Sequence, residues 1–156
     1  VSPDAGRVKV AERFAQHLSD LNADVAFINK RRPKGTTNIA IAKEVIGDVD
    51  GRLCILTDDM IDTGGTIVSA AELLLERGAK EVWAMATHGV LSDPAVERLS
   101  KSPISRVVLT NTLPLPAEKH FDKVEVLSVA KIIADALAAV FDETSVSELF
   151  DGENQS

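Results

Sequence analysis

Apolar runs of strand length recur along this chain, among them "ADVAFIN", "RLCILT", "EVWAMAT", "RVVLTNT" and "VEVLSV", and longer amphipathic stretches separate them. This alternation is the strongest constraint on the fold. Parallel neighbouring strands need a crossover connection, which a helix supplies, and strands covered on both faces read as nearly continuous apolar runs. The pattern predicts an α/β domain, a parallel sheet with helices on both faces. In "RVKVAERFAQHLSDL", Val8, Ala11, Phe14, Ala15 and Leu18 fall at helical spacing. "TIVSAAELLLERGA" predicts a helix stopped at Gly78, and Asp93 is expected to cap "PAVERLSK" with Pro94 at the first helical position. "AKIIADALAAVFDE" predicts the last helix; its Leu/Ile run and Trp83 read as core. "KRRPKGTTN" reads as a loop, and "IAIAKEVIGDVDG" as strand or mixed structure.

A chain of 156 residues with 45% apolar content can bury one core, so residues 1–150 are expected to form one domain, with 151–156 a polar tail. "VSPDAG" at the start reads as the end of a strand followed by a loop, which suggests an upstream half. Acidic residues outnumber basic ones, 24 to 17, for a net charge of -7, which argues against a nonspecific grip on nucleic acid or an acidic membrane. No apolar run approaches the ~20 residues of a membrane span. The single cysteine, Cys54, sits in an apolar run and reads as a small core residue. These features fit a cytoplasmic protein. Any phosphate ligand would be held locally, by backbone N–H groups, a few cations or a divalent metal.

In open parallel sheets, ligands bind beyond the carboxyl ends of the strands. Polar clusters at 4–6, 30–34, 58–66, 87–89 and 110–112 all follow predicted strands and should gather on that edge. The richest is "LTDDMIDTGGT", where Gly64 and Gly65 open a helix and Thr63 and Thr66 add hydroxyls. Such a helix start presents free N–H groups and a positive dipole end, a ready anion site. Asp58 and Asp59 beside it can accept hydrogen bonds from sugar hydroxyls, or hold a hydrated Mg2+ that carries phosphates. A sugar phosphate suits that combination. The plain alternative is a solvated strand end and a tight turn. A Walker A loop and a dinucleotide G-x-G-x-x-G motif are both missing.

"LTDDMIDTGGT" resembles the phosphoribosyl diphosphate motif of the type I phosphoribosyltransferase fold. With "VSPDAGR", "NKRRPK", "ATHGVLSDPA" and "TSVSELF", the chain resembles the C-terminal half of the ribose-phosphate pyrophosphokinase family over essentially its whole length. The resemblance implies transfer of a diphosphoryl group from MgATP to the anomeric hydroxyl of ribose 5-phosphate, giving phosphoribosyl diphosphate and AMP. It implies that Asp62, Thr63, Gly64, Gly65 and Thr66 hold the 5-phosphate, and that Asp58 and Asp59 face the ribose hydroxyls and their metal. Asp4, Ala5 and Gly6 would form the diphosphate loop, with Asp4 a Mg2+ ligand or the holder of its water. Lys30 and Arg32 would close over the transferring group, Arg32 also reaching ribose 5-phosphate. Ser145 and Ser147 match a segment that regulated members use for an allosteric phosphate or ADP, although serines at helix ends also serve as caps.

The family assembles as homo-oligomers, commonly hexamers, and this half alone is expected to be inactive. Two other readings are a phosphoribosyltransferase that consumes phosphoribosyl diphosphate, and a non-catalytic regulatory or assembly homologue. "SPDAG" and "KRRPK" argue against the first, and retention of Lys30, Arg32, Asp58 and Asp62 against the second. Arg7 stands where many relatives carry glycine; it either limits backbone approach to the diphosphate or supplies a cation. His88 follows a strand and could face the site, although a lone His is more often structural, while His17 and His120 read as exposed.

Overall fold

A computed structural model describes residues 1–31 and 42–150. Arg32 and the tail 151–156 lie outside the described residues. The strands are β1 (Phe27–Arg31), β2 (Ala42–Ile46), β3 (Leu53–Ile61), β4 (Glu81–Gly89), β5 (Arg106–Thr110) and β6 (Val124–Leu127). The α-helices are α1 (Val8–Gln16), α2 (Gly65–Glu76), α3 (Ala95–Lys101) and α4 (Ala130–Phe141). Strands β3, β4, β5 and β6 lie side by side in that order, all parallel, so the expected parallel sheet flanked by helices is present.

Strands β1 and β2 pair antiparallel, from Phe27 opposite Ile46 to Arg31 opposite Ala42. The first residues of the chain bridge this pair to the sheet. Val1 accepts from the N–H of Thr57, while Ser2 donates to Ala26 and accepts from Ile28. "VSPDAG" therefore opens with a short bridging segment, an isolated parallel bridge from Ser2 to Phe27, rather than a strand.

One face of the sheet is a closed core. Leu56, Ala84 and Val107 stand level on adjacent strands and are fully buried, and Leu74 and Ala71 of α2 are buried with them. Alanine at 84 and 86 lets a helix approach closely, and α2 packs against β3 and β4. Cys54 belongs to this core, and burial pushes its thiol above the ordinary range, in keeping with a packing residue.

Several boundaries differ from the sequence reading. Strand β1 extends through Lys30 and Arg31, where a loop was expected, because pairing with β2 continues to Ala42. Strand β3 continues through Asp58 and Asp59, paired with β4 beyond Met60, so only 62–64 form the turn. Helix α3 begins at Ala95 with Pro94 at its cap and no side-chain cap bond, so Asp93 does not cap it.

Trp83 is half-buried rather than core. Its Nε1–H donates to Glu81 at 2.6 Å, and Arg106 lies 4.5 Å over its ring. The apolar run of α4 is not core either. Ile132, Ile133 and Leu137 are each 54% exposed and Phe141 is 83% exposed; among the described residues of this helix only Ala139 is buried. Helical spacing reports that a helix has an apolar face, not what covers it.

Hydrogen bonds from Trp83 and then Ser105 hold the Glu81 carboxyl below its ordinary value. A depressed folded value means that the interaction stabilises above the unfolded pKa of about 4.3 and is lost as pH falls through the folded one. Fluorescence of Trp83, the only tryptophan, should therefore titrate in the folded chain with a midpoint below about pH 4.3. A midpoint at or above that value would show that the bond does not form.

Candidate functional site

At the carboxyl edge of the sheet, an open recess of about 300 Å³ is lined by Asp4, Arg7 and residues 58–67. Three pieces of local structure build it. The first is the turn after the opening strand segment. Asp4 is extended and its Oδ1 accepts the N–H of Gly6 at 2.8 Å, which closes a short helical turn, Ala5–Arg7, with Ala5 and Gly6 exposed.

The second is the end of β3, which carries Asp58 and Asp59. The third is the start of α2. Gly64 takes φ +73° at the helix cap, a conformation that costs other L-residues roughly 1–2 kcal/mol. The first helical bond there is Val68 N–H to Gly64 C=O. The N–H groups of Gly65, Thr66 and Ile67 precede it and have no carbonyl of their own helix to meet, so they can serve an anion. Asp62, Thr63 and Thr66 complete this wall of the recess.

Replacing Gly64 by alanine should lower Tm by roughly 2–8 °C through left-handed strain, and its Cβ would meet Leu99 at 3.4 Å. A thermal melt by circular dichroism checks this. An unchanged Tm would mean that the turn relaxes to another conformation.

Arg7 Nε lies 3.2 Å from Asp58 Oδ1, and Arg7 Nη2 donates to Asp59 Oδ2 at 2.6 Å. Burial works against ionising Asp59, but hydrogen bonds from Arg7 and from its neighbours outweigh it and hold this carboxyl below the ordinary range. Asp58 is shifted upward, chiefly by its deeper burial, with the nearby Asp59 adding to the effect. The two carboxylates thus share one guanidinium unequally. Arg7 is ion-paired to the strand-end carboxylates within the recess.

The sequence reading missed Arg98. Its guanidinium, from α3, donates to the Thr63 carbonyl and lies 3.3 Å from where a Cβ on Gly65 would be. A side chain at 65 would press on that cation. No local motif announces Arg98, since the contact joins helix α3 to a turn 35 residues earlier.

Lys30 lies on β1, and the registers set its backbone near the same edge. Ser2 bridges Phe27, and Val1 accepts from Thr57, so Asn29, Asp4 and Asp59 follow at comparable levels, with Lys30 next after Asn29. Ser145 and Ser147 are exposed and hydrogen-bonded to each other, Oγ to Oγ 2.6 Å. His88 sits at the end of β4 with its Nδ1 2.8 Å from the Thr112 hydroxyl, and that hydroxyl donates to Thr87 C=O, which fits a structural role. His17 and His120 are exposed, and His120 lies 3.3 Å from Leu115 C=O.

A second recess, about 310 Å³, opens between α1 and the start of β3. Its lining is mostly apolar, Phe14, Leu18, Val49 and Cys54 among it, and offers no comparable convergence of phosphate donors and carboxylates.

Fold and site together define a class: an α/β domain in which a glycine-opened helix start and strand-end carboxylates face one recess. A family model for the phosphoribosyl synthetase-associated domain matches residues 9–151. The chain belongs to that family. It is 53% identical over 151 residues to the ribose-phosphate pyrophosphokinase of Streptomyces avermitilis, covering 97% of this chain and 46% of that protein. It is 55% identical over 150 residues to the protein of the same name from Caldanaerobacter subterraneus, covering 96% and 46%. The crystal structure of phosphoribosylpyrophosphate synthetase from Mycobacterium smegmatis superimposes with a TM-score of 0.81 at 50% identity, over 91% of this chain and 44% of that one. The chain thus spans about half the length of the relatives it matches. These matches support the family and a half-length share, and do not bear out the further expectation of a C-terminal half.

Proposed function

We propose that this chain, its residues 1–150 acting as one domain, serves an enzyme that makes phosphoribosyl diphosphate and AMP from ribose 5-phosphate and ATP. The observation that carries the reading is the single recess, with an anion-binding helix start on one wall and the Asp58 and Asp59 carboxylates on another. The relatives named ribose-phosphate pyrophosphokinase support the same chemistry.

In this reading the 5-phosphate lies on the N–H groups and hydroxyls of 62–66, and Asp58 and Asp59 accept hydrogen bonds from the ribose hydroxyls. That fixes the anomeric hydroxyl toward the loop of Asp4, Ala5 and Gly6, where the diphosphoryl group is received. The anomeric oxygen attacks the β-phosphorus of ATP, the bond from β-phosphorus to the α–β bridging oxygen breaks, AMP leaves, and the hydroxyl proton passes to solvent. Charge spreads over the phosphoryl oxygens on the way, so positioning and charge stabilisation are the main contributions. Lys30 as a point charge and Arg32 as a fork supply that stabilisation.

Hard carboxylate oxygens at Asp4, Asp58 and Asp59 suit Mg2+. Among the described residues no group of three acidic, His or Cys side chains is arranged to hold a metal ion. Mg2+ characteristically keeps several waters and takes one or two carboxylates together with substrate phosphates. Bound there, Mg2+ would neutralise charge on the transferring oxygens.

Assembly as a homohexamer belongs to the same reading, and the apolar side chains that α4 exposes suit a protein interface. A cytoplasmic setting, where ATP is supplied, belongs to it as well. Among the described residues, no helix is long and apolar enough to cross a membrane.

The deciding experiment measures AMP release from ATP by the full-length protein, with ribose 5-phosphate omitted and added in the presence of Mg2+. AMP should form only with both present. Release of diphosphate from phosphoribosyl diphosphate with a nucleobase, and no AMP from ATP, would instead indicate a phosphoribosyltransferase. The same assay with added ADP tests regulation through Ser145 and Ser147.

A further inference from the structure

The described recess brings four carboxylates, Asp4, Asp58, Asp59 and Asp62, and one guanidinium, Arg7, into its lining. The guanidinium is not spread evenly among them. Its Nε faces Asp58 at 3.2 Å and its Nη2 faces Asp59 at 2.6 Å, so one planar group spans carboxylates on consecutive residues of β3. The backbone arranges this: Asp4 closes the turn at Gly6, and the chain enters α1 directly after Arg7, which aims residue 7 back toward β3.

A guanidinium takes up lone-pair sites of a carboxylate and offsets its charge, so it competes with a metal ion for that group. We propose that Arg7 is an intramolecular counter-cation of Asp58 and Asp59, displaced when a divalent cation loads the site, and that it thereby sets the cation affinity. The inference rests on the reading of Asp58 and Asp59 as the pair that faces sugar and metal. Arg7 is a positioning residue here: it settles the two carboxylates in the unliganded chain and yields them on loading. The pair is half open to solvent, with side-chain exposures of 36% at Arg7 and 42% at Asp59. Exposed ion pairs are weak, so displacement lowers cation affinity by a modest factor.

The test titrates MgCl2 into the full chain by calorimetry, and follows the Arg7 Nε–H resonance by NMR. Arg7→Gln should bind Mg2+ about two- to tenfold more tightly than the unmodified chain. In an Asp59→Asn background the same change should do much less. At Mg2+ saturation the Arg7 Nε–H signal should shift or broaden as its partners are taken, which simple removal of a nearby charge would not explain.

Equal or weaker Mg2+ binding by a folded Arg7→Gln chain, or an Nε–H signal unmoved at saturation, overturns the proposal. Arg7→Lys, which keeps the charge but not the fork, provides a second variant should Arg7→Gln fail to fold; it should fall between the two affinities. A separate arm titrates ribose 5-phosphate in chelator. If ribose 5-phosphate binds but Mg2+ affinity is insensitive to Arg7, this inference fails and the functional reading stands. If Mg2+ competition is seen and ribose 5-phosphate never binds, the functional reading fails instead.

Discussion

Lys30→Ala should lower AMP formation by the full-length protein about 10²- to 10³-fold, with the circular dichroism spectrum and melting curve nearly unchanged. The size follows from what a placed charge contributes when negative charge spreads over transferring phosphoryl oxygens, a contribution made mainly in the transition state. The effect should therefore fall on kcat more than on KM. Folding should tolerate the change because backbone pairing to β2 and the bridge of Phe27 to Ser2 hold β1 in place. Equal turnover in the variant would remove Lys30 from the reaction.

Leu74→Ala should destabilise the domain by about 2–5 kcal/mol, through lost burial and the cavity left behind. Leu74 is fully buried on the face of α2 that meets β3 and β4. Urea unfolding measures it, as a lower midpoint at similar slope. The consequence extends to function, since α2 carries the helix start at Gly64 and Gly65 that forms one wall of the recess. A loss below about 1 kcal/mol would show that the core there collapses around the smaller side chain.

Much of the fold is legible in neighbouring residues. The apolar runs around Cys54, Val82 and Val107 became parallel strands, and Gly64 and Gly78, both at positive φ, begin and end α2 where the sequence puts them. The wall of the site from Asp62 to Thr66 was legible for the same reason: a helix start and its glycine turn are local objects. The boundaries at Lys30 and at Asp58 were not, because pairing with β2 and β4 lengthens strands past the point where apolar residues end. Trp83 looked like core from its apolar neighbours. Its position on a half-covered sheet face, with Arg106 over the ring, depends on the partner strand β5.

Local order along the chain determined an α/β domain, a glycine-opened helix start and a run of carboxylates close before it. Only the tertiary structure decided which charged groups meet. Arg7 reaches Asp59 across 52 residues of chain, and Arg98 reaches Thr63 across 35, contacts that exist because sheet register and helix packing bring distant segments level. It also decided that α4 keeps its apolar face exposed. Periodicity sets which side of a helix is apolar, while burial depends on what surface lies opposite.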